Sequence, residues 1–205
     1  MATALDIRHR TLAEFLTWEE QQPERYERVG GVIRMMTGGT VAHNRIIRNC
    51  ARALETRLLG SDCEVFTSDI KVVAPEEDVM YPDVVVVCGA IADEATRLET
   101  PVVVVEVLSE STAARDHGPK RWAYQMIPSL QHYVLIDQAK PVVEVASRDD
   151  DGSWRSVMHR GLDVRVRLGV LGVEIGLEEI FARVTFAPAA EPDAASADGV
   201  AGRSR

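Results

Sequence analysis

Two valine-rich segments, each carrying a single carboxylate, constrain the fold of this chain more than any other feature. The first reads YPDVVVVC over residues 81–88, and the second reads PVVVVEVL over residues 101–108. Near-continuous apolar runs of this length predict strands that are covered on both faces, as in a sheet flanked by helices. Because an unpaired charge is costly to bury, Asp83 and Glu106 each require a compensating partner.

The two acids occupy complementary positions in their predicted strands. Asp83 opens the first strand and Glu106 lies late in the second. Antiparallel pairing would bring the start of one strand opposite the end of the other, so that the carboxylates meet at one sheet edge. Two hard oxygen ligands, completed by water and a phosphate oxygen, suit Mg²⁺. The alternative is that Asp83 bonds backbone amides while Glu106 pairs with a lysine or arginine and no metal binds.

Local patterns predict the remaining elements, and together they indicate an α/β fold with a mixed central sheet, helices on both sides and a hairpin near each end. Gly118-Pro119 suits the start of a helix better than its interior. The predicted elements are a short helix capped by Thr11 and Glu14, a hairpin about Gly30-Gly31, a helix over 41–58, a strand over 64–73, a helix from Pro119, a strand over 132–137, a hairpin of 142–147 with 154–160, a strand over 164–168 and a helix over 177–181.

Bulk composition narrows the function classes. The length of 205 residues favours one domain over 1–186, followed by a disordered tail over 187–205 that is rich in Ala, Pro, Asp, Ser and Gly. A net charge of −9 argues against a surface devoted entirely to nucleic acid, but it leaves room for a local basic groove.

Cysteine usage and the absence of targeting signals predict a location. Cys50, Cys63 and Cys88 are few, odd in number and widely spaced, so they predict neither a disulfide framework nor a zinc knuckle. No signal peptide is visible, and the apolar runs are too short to cross a membrane. A reducing cytoplasm is therefore the expected location.

The helix predicted over 41–58 carries a concentration of positive charge. Arg45, Arg48, Arg52 and Arg57 outnumber the single Glu55 on it. A solvated surface is one interpretation of this charge. The other is a face that follows the phosphates of DNA, contributed by Arg45, Arg48 and Arg52.

The order of motifs along the chain resembles the Uma-type family of endonucleases, which belongs to the PD-(D/E)XK restriction-endonuclease-like superfamily. The resemblance covers residues 11 to about 182. It rests on YERVGGVIRMM over 26–36, AHNRII over 42–47, YPD over 81–83, VVEVLS over 104–109, a D…K…Y helix containing Asp116, Lys120 and Tyr124, and HYVLID over 132–137.

The resemblance implies a restriction-endonuclease-like core and assigns roles to individual residues. Asp83 and Glu106 would bind Mg²⁺ or Mn²⁺. The usual lysine of the superfamily follows the second acid by two positions, where this chain has Leu108. The basic residue would then be Lys120 on the next helix, although most lysines on helices are solvated. Glu27 and His43 match polar positions of the family and are accessory candidates.

The expected function is hydrolysis of phosphodiester bonds, most simply in DNA, by a metal-activated water. A homodimer is plausible by analogy, because cutting both strands commonly uses two active sites. The rival hypothesis is a catalytically silent module that keeps the nuclease fold and binds nucleic acid or a protein partner. Metal-dependent cleavage of DNA distinguishes the two.

Overall fold

The computed structural model describes residues 11–186, and its elements form a mixed α/β architecture, as the sequence predicts. The segment 187–205, for which a disordered tail is predicted, lies outside the described residues. The helices are α1 (Leu12–Glu19), α2 (Val41–Leu58), α3 (Ala113–His117), α4 (Pro119–Gln125) and α5 (Leu177–Ile180). The strands are β1 (Tyr26–Val29), β2 (Val32–Met35), β3 (Cys63–Thr67), β4 (Lys71–Val73), β5 (Val79–Met80), β6 (Val84–Cys88), β7 (Arg97–Leu98), β8 (Pro101–Leu108), β9 (His132–Asp137), β10 (Val142–Arg148), β11 (Trp154–Arg160), β12 (Arg165–Leu168) and β13 (Val173–Gly176).

The central sheet is mixed, with the strand order β11-β10-β9-β8-β6-β3. Strand β8 pairs antiparallel with β6 and parallel with β9. Alternate valines of β6 and β8 face opposite sides of this sheet. Val84, Val86, Val103, Val105 and Val107 pack with α2 and α5, whereas Val85, Val87 and Val104 pack with α4. Both faces are therefore covered, which explains the uninterrupted apolar runs.

A second sheet, of order β2-β1-β5-β4-β7, brings the N-terminal hairpin against the central sheet. Gly30 and Gly31 form the turn with φ values of +57° and +73°. Two successive positive φ values are typical of a type I′ hairpin turn, and glycine adopts them without steric cost. Strand β1 pairs with β5 through Arg28 and Val79, just before the segment that carries Asp83.

The prediction of one strand over 64–73 is wrong, because the chain changes sheets within it. Strand β3 pairs with β6 in the central sheet, whereas β4 pairs with β5 in the second sheet. The change occurs at Ser68, whose φ is +47° and whose N–H donates to the Asp83 carbonyl. Local alternation persists across this bend, so the pattern alone does not reveal it. The short strands β5, β7 and β13 were not predicted either.

A break between α3 and α4 positions the predicted lysine. Helix α4 begins at Pro119, as the sequence predicts, and α3 precedes it as an additional short helix. Gly118 separates them with φ −106° and ψ −107°, and a Cβ there would lie 2.9 Å from the Ala114 carbonyl oxygen. The close approach requires glycine. It lets Asp116 at the end of α3 and Lys120 at the start of α4 face the same side.

The number and spacing of the cysteines predict no disulfide framework, but the structure contains one disulfide. Cys63 and Cys88 are directly opposed on β3 and β6 and are joined by a disulfide, with their Cα atoms 3.9 Å apart. Cys50 is free and buried in α2, where burial first and the charge of Asp83 second raise the pKa of its thiol to about 12. Because disulfides persist mainly in oxidising environments, the cysteines lend no support to a reducing compartment.

No helix among residues 11–186 combines the length and the apolar composition that crossing a membrane requires.

Candidate active site

Asp83 immediately precedes β6, at the end of the strand that lies opposite the acid of β8. Val84 pairs with Val105 across the antiparallel ladder, so the adjacent residues, Asp83 and Glu106, reach the same sheet edge. The Oδ2 atom of Asp83 accepts a 2.6 Å hydrogen bond from the Val107 N–H, and its Oδ1 atom lies 3.2 Å from His43 Nε2. The backbone contact anticipated by the metal-free alternative is therefore present, on one of the two oxygens.

Glu106 is buried, and its Oε1 atom carries the contacts of the side chain. Lys120 Nζ lies 2.6 Å from Oε1, and the Tyr124 hydroxyl donates to the same oxygen over 3.0 Å. Burial raises the pKa of Glu106 well above its usual range, Lys120 opposes the rise, and neighbouring acids add to it. A further cation beside Glu106 would favour its charged form.

Lys120 is not a solvated lysine, because only 2% of it is exposed. Its ammonium lies 2.6 Å from Glu106, 2.9 Å from Glu27 and 3.7 Å from Asp116. Burial by itself lowers the pKa of Lys120, but these three carboxylates raise it above its usual value overall. The side chain is therefore a charged ammonium within an acid cluster, at the sheet edge where the sequence placed the site.

Glu27, a residue of the second sheet, binds the Lys120 ammonium. It lies on β1, and its Oε1 atom accepts hydrogen bonds from Lys120 Nζ and from the Tyr81 N–H, at 2.9 and 3.1 Å. Its Oε2 atom lies 3.5 Å from a nitrogen of Arg115. Glu27 thus contacts two cations, Lys120 and Arg115, and these contacts account for the burial of an acid on this strand.

His43 is presented by the first turn of α2. Thr40 caps this helix by accepting a 3.1 Å hydrogen bond from the His43 N–H. A Cβ on Gly39 would lie 2.6 Å from the imidazole Cδ2, so the absence of a side chain there lets the loop pass close to the ring. The ring then contacts Asp83 through Nε2. The accessory candidate from the sequence thus lies beside the first acid.

Two residues of α3 belong to the same cluster, although the sequence did not single them out for the site. Asp116 is buried, and its Oδ1 atom has no hydrogen-bond partner. Burial raises the pKa of Asp116, and Lys120 opposes that rise. Arg115 adds a second cation next to Glu27. The spacing of four residues between Asp116 and Lys120 is the one local signal that could have placed the acid beside the lysine.

The arginines of α2 lie apart from this cluster. Arg45, Arg48 and Arg52 are exposed, and the cavity described below has none of them in its walls. Arg45 donates to the Arg183 carbonyl, and Arg57 forms a 2.7 Å ion pair with Glu179. The ion pair with Glu179 offsets the charge of Arg57, whereas Arg45, Arg48 and Arg52 keep theirs.

A cavity of about 500 Å³ joins these groups. The hairpin β1–β2 and the segment 111–120 both contribute walls. The site residues in the lining are Glu27, His43, Asp83, Glu106, Arg115, Asp116 and Lys120. The donor set for a metal is carboxylate oxygen, which suits Mg²⁺ or Mn²⁺ better than a thiophilic metal. Because the contacts to Glu106 use Oε1, its Oε2 atom is the one open to a further ligand.

Asp83 and Glu106 bring two carboxylates from adjacent strands into the lining of the cavity, and carboxylate oxygen is the donor type that Mg²⁺ prefers. Elsewhere in residues 11–186, Asp62, Cys63 and Cys88 bring three possible ligand atoms within 4.8 Å of one another. The two sulfur atoms of that group already form the disulfide. In the cavity, Asp83 and Glu106 would supply two oxygens and leave the other positions to water and phosphate, as Mg²⁺ commonly does.

Comparison with known proteins identifies the family of this chain. The family model Uma2, described as "Putative restriction endonuclease", matches residues 12–178. An uncharacterized protein of Synechocystis sp., slr1290, is 34% identical over 175 residues, which cover 84% of this chain and 92% of that protein. A second one, sll1609, is 36% identical over 148 residues, covering 70% of this chain and 84% of that protein.

The fold also matches a solved structure. The crystal structure of a putative nuclease belonging to DUF820, from Anabaena variabilis, superposes with a TM-score of 0.68. The match covers 86% of this chain and all of the other, at 16% sequence identity, so it speaks for the fold alone. The chain belongs to the Uma2 family of putative restriction endonucleases and has the restriction-endonuclease-like fold that its sequence motifs predict.

Proposed function

We propose that the protein is a metal-dependent endonuclease that hydrolyses phosphodiester bonds of DNA in the cavity beside Glu106. The observation that carries this proposal is the placement of Asp83, Glu106 and a charged, buried Lys120 at one sheet edge inside that cavity. Family membership and the nuclease fold support nuclease activity in general. The acids and the lysine supply the chemistry that such an activity needs.

Asp83 and Glu106 are the residues that would hold Mg²⁺ or Mn²⁺. Such an ion, when bound, supplies Lewis-acid charge and a water of lowered pKa. The Val107 N–H orients the Asp83 carboxylate, and the Tyr124 hydroxyl orients that of Glu106. Both acids are thus held before substrate arrives, which lowers the cost of assembling the site.

Lys120 would stabilise the negative charge that accumulates on the phosphate oxygens in the transition state. Its ammonium is desolvated, and Glu27 and Asp116 hold it next to Glu106. An electrostatic group fixed in a dry site acts more strongly than one in water. In this way a helix residue would take the place of the lysine that is missing at Leu108. Glu27 and His43 would be positioning residues for Lys120 and Asp83.

The test is cleavage of supercoiled and linear duplex DNA with Mg²⁺, with Mn²⁺ and with EDTA. We expect metal-dependent nicking or linearisation that is lost in Asp83→Asn and Glu106→Gln and retained in Glu64→Gln, an exposed acid on β3. Mg²⁺ should also raise the melting temperature of the wild type, because a ligand of the native state stabilises it by mass action, and Asp83→Asn should abolish this shift. Cleavage that persists in EDTA or in Asp83→Asn would overturn the proposal.

The rival is a silent module that uses this cavity for binding alone. It is favoured by Leu108 at the usual lysine position and by the use of Lys120 as an internal partner for three carboxylates. DNA binding without cleavage under every metal condition would select it.

For the active enzyme we further propose action in the cytoplasm, where DNA is available, and a homodimer when both strands are cut. Analytical ultracentrifugation of the protein with duplex DNA tests whether two copies bind together.

A further inference from the structure

Arg115 faces the cavity with most of its hydrogen-bonding capacity unused. It lies on α3, and its side chain is 26% exposed. Its nearest carboxylate oxygen, Oε2 of Glu27, lies 3.5 Å from a guanidinium nitrogen. Charge-assisted hydrogen bonds are usually about 2.7–2.9 Å long. The Nε–H of Arg115 is buried and has no hydrogen-bond partner.

The neighbouring acids do not accept hydrogen bonds from the remaining N–H donors of Arg115. Oε1 of Glu27 already accepts from Lys120 and from the Tyr81 N–H. The Oδ1 atom of Asp116 makes no hydrogen bond and lies nearest to Lys120, at 3.7 Å. A guanidinium offers five donors, and a buried donor without a partner destabilises the fold. Such a cost is tolerable at a position that a ligand fills.

The charge of the cavity indicates which ligand this is. The cavity is lined by four acids, Glu27, Asp83, Glu106 and Asp116, and by three cations, Arg34 on the hairpin wall and Arg115 and Lys120 on the wall of residues 111–120. A polyanion therefore needs a cation that these acids do not already hold. Lys120 is held by three of these acids, so its charge is largely offset before substrate binds, and its proposed role is confined to the charge that develops in the transition state. Arg115 is the cation of this wall that only one long ion pair holds. Its planar fork matches two oxygens of a phosphodiester, and Ser111 and Thr112 add hydroxyl groups to the same wall.

We propose that Arg115 binds the non-bridging oxygens of a substrate phosphodiester and releases Glu27 when it does so. The inference rests on the proposed function and deepens it, since it identifies the phosphodiester backbone as the group that this wall recognises. It also assigns a phosphate contact to the cavity itself, apart from the arginines on the surface of α2.

The test compares Arg115→Gln, Arg115→Lys and the wild type in binding a fluorescein-labelled duplex of random sequence, with Ca²⁺ in place of Mg²⁺. Kd is measured across a salt series. Loss of one phosphate contact should lower the slope of log K against log[salt] by about 1 in Arg115→Gln. Arg115→Lys should keep the slope and bind more weakly at each salt concentration, because a point charge lacks the fork. Arg97→Gln is the matched control, since Arg97 is exposed, pairs with Glu99 and lies outside the cavity.

The outcomes separate this inference from the nuclease assignment. If the wild type cleaves DNA and Arg115→Gln keeps the full salt slope, the inference fails and the function stands. If the wild type binds without cleaving and Arg115→Gln lowers the slope, the inference holds and the nuclease function fails. Absence of DNA binding by the wild type overturns both. If Arg115→Gln does not fold, Arg115→Lys decides, and wild-type affinity in that variant contradicts the inference.

Discussion

The ammonium of Lys120 lies 2.6 Å from Oε1 of Glu106, and both side chains are buried at the edge of the central sheet. These residues come from different elements, β8 and α4, and the break at Gly118 sets the position of the second. The contact makes Lys120 part of the structure of the site as well as a candidate for its chemistry. Its removal should therefore have consequences for folding as well as for cleavage.

Lys120→Ala should destabilise the protein by about 3–5 kcal/mol, because it leaves buried carboxylates without their cation. The same variant should gain more stability from Mg²⁺ than the wild type does, since a bound cation replaces part of the lost charge. Its cleavage rate at saturating Mg²⁺ should fall by roughly 10²-fold or more. Urea unfolding with and without Mg²⁺ measures the first two effects, and single-turnover cleavage measures the third.

Lys71→Ala is the matched control for this prediction. Lys71 is also buried and forms a 2.8 Å ion pair with Glu19, but it does not line the cavity. We expect destabilisation without additional rescue by Mg²⁺. Equal rescue of both variants, or a Lys120→Ala variant as stable as the wild type, would contradict the role given to Lys120.

Replacing Arg45, Arg48 and Arg52 by Gln tests the surface of α2. If this face follows DNA phosphates, affinity should fall by a similar factor for every sequence, and the salt dependence of binding should become shallower. Fluorescence anisotropy across a salt series measures both. Arg57→Gln serves as a comparison, because Arg57 is already paired with Glu179. An unchanged slope in the triple variant would make the three arginines a solvated surface only.

The Cys63–Cys88 disulfide should make stability depend on reductant. The two residues are 25 positions apart, and closing a loop of this size stabilises a fold by about 3 kcal/mol in the chain-entropy estimate. Dithiothreitol should lower the melting temperature of the wild type and leave that of the Cys63→Ser/Cys88→Ser variant unchanged. A Cys50→Ala variant should respond to reductant as the wild type does. Identical wild-type melting curves under oxidising and reducing conditions would rule out the bond.

His132 should make the protein less stable in mild acid. Its Nε2 atom accepts a 3.3 Å hydrogen bond from the Val170 N–H, and its Nδ1 atom lies 2.9 Å from the Ser147 hydroxyl. The acceptor role requires a neutral ring, and burial lowers the pKa of His132 in the folded state. Because the unfolded chain then binds the proton more readily, the stabilisation is complete above the unfolded pKa of about 6.5 and is lost as pH falls below it.

The free energy of unfolding, measured between mildly acidic and neutral pH, checks this expectation. His132→Gln should flatten the pH dependence over this interval. A His132→Gln variant with an undiminished slope would place the acid sensitivity elsewhere.

The sequence alone determined the elements whose signals are local. The capping pair Thr11 and Glu14, the glycine turn of β1–β2 and the valine runs of β6 and β8 each depend on neighbouring residues, and each is found as predicted. The meeting of Asp83 and Glu106 was also predictable. An acid in an apolar strand is unusual in itself, and antiparallel pairing of consecutive strands is the simplest connection.

Tertiary structure decided what depends on contacts between distant segments. The ion pair joins Lys120 to Glu27, 93 positions earlier in the chain. The disulfide joins β3 to β6, and between these strands the chain bends at Ser68, where the alternation of apolar residues gives no sign of a bend. The free donors of Arg115 likewise depend on which acids the other cations already occupy. The sequence shows that a charged residue lies in an apolar segment and must therefore be paired. Which residue pairs with it depends on how the strands align and how the helices pack.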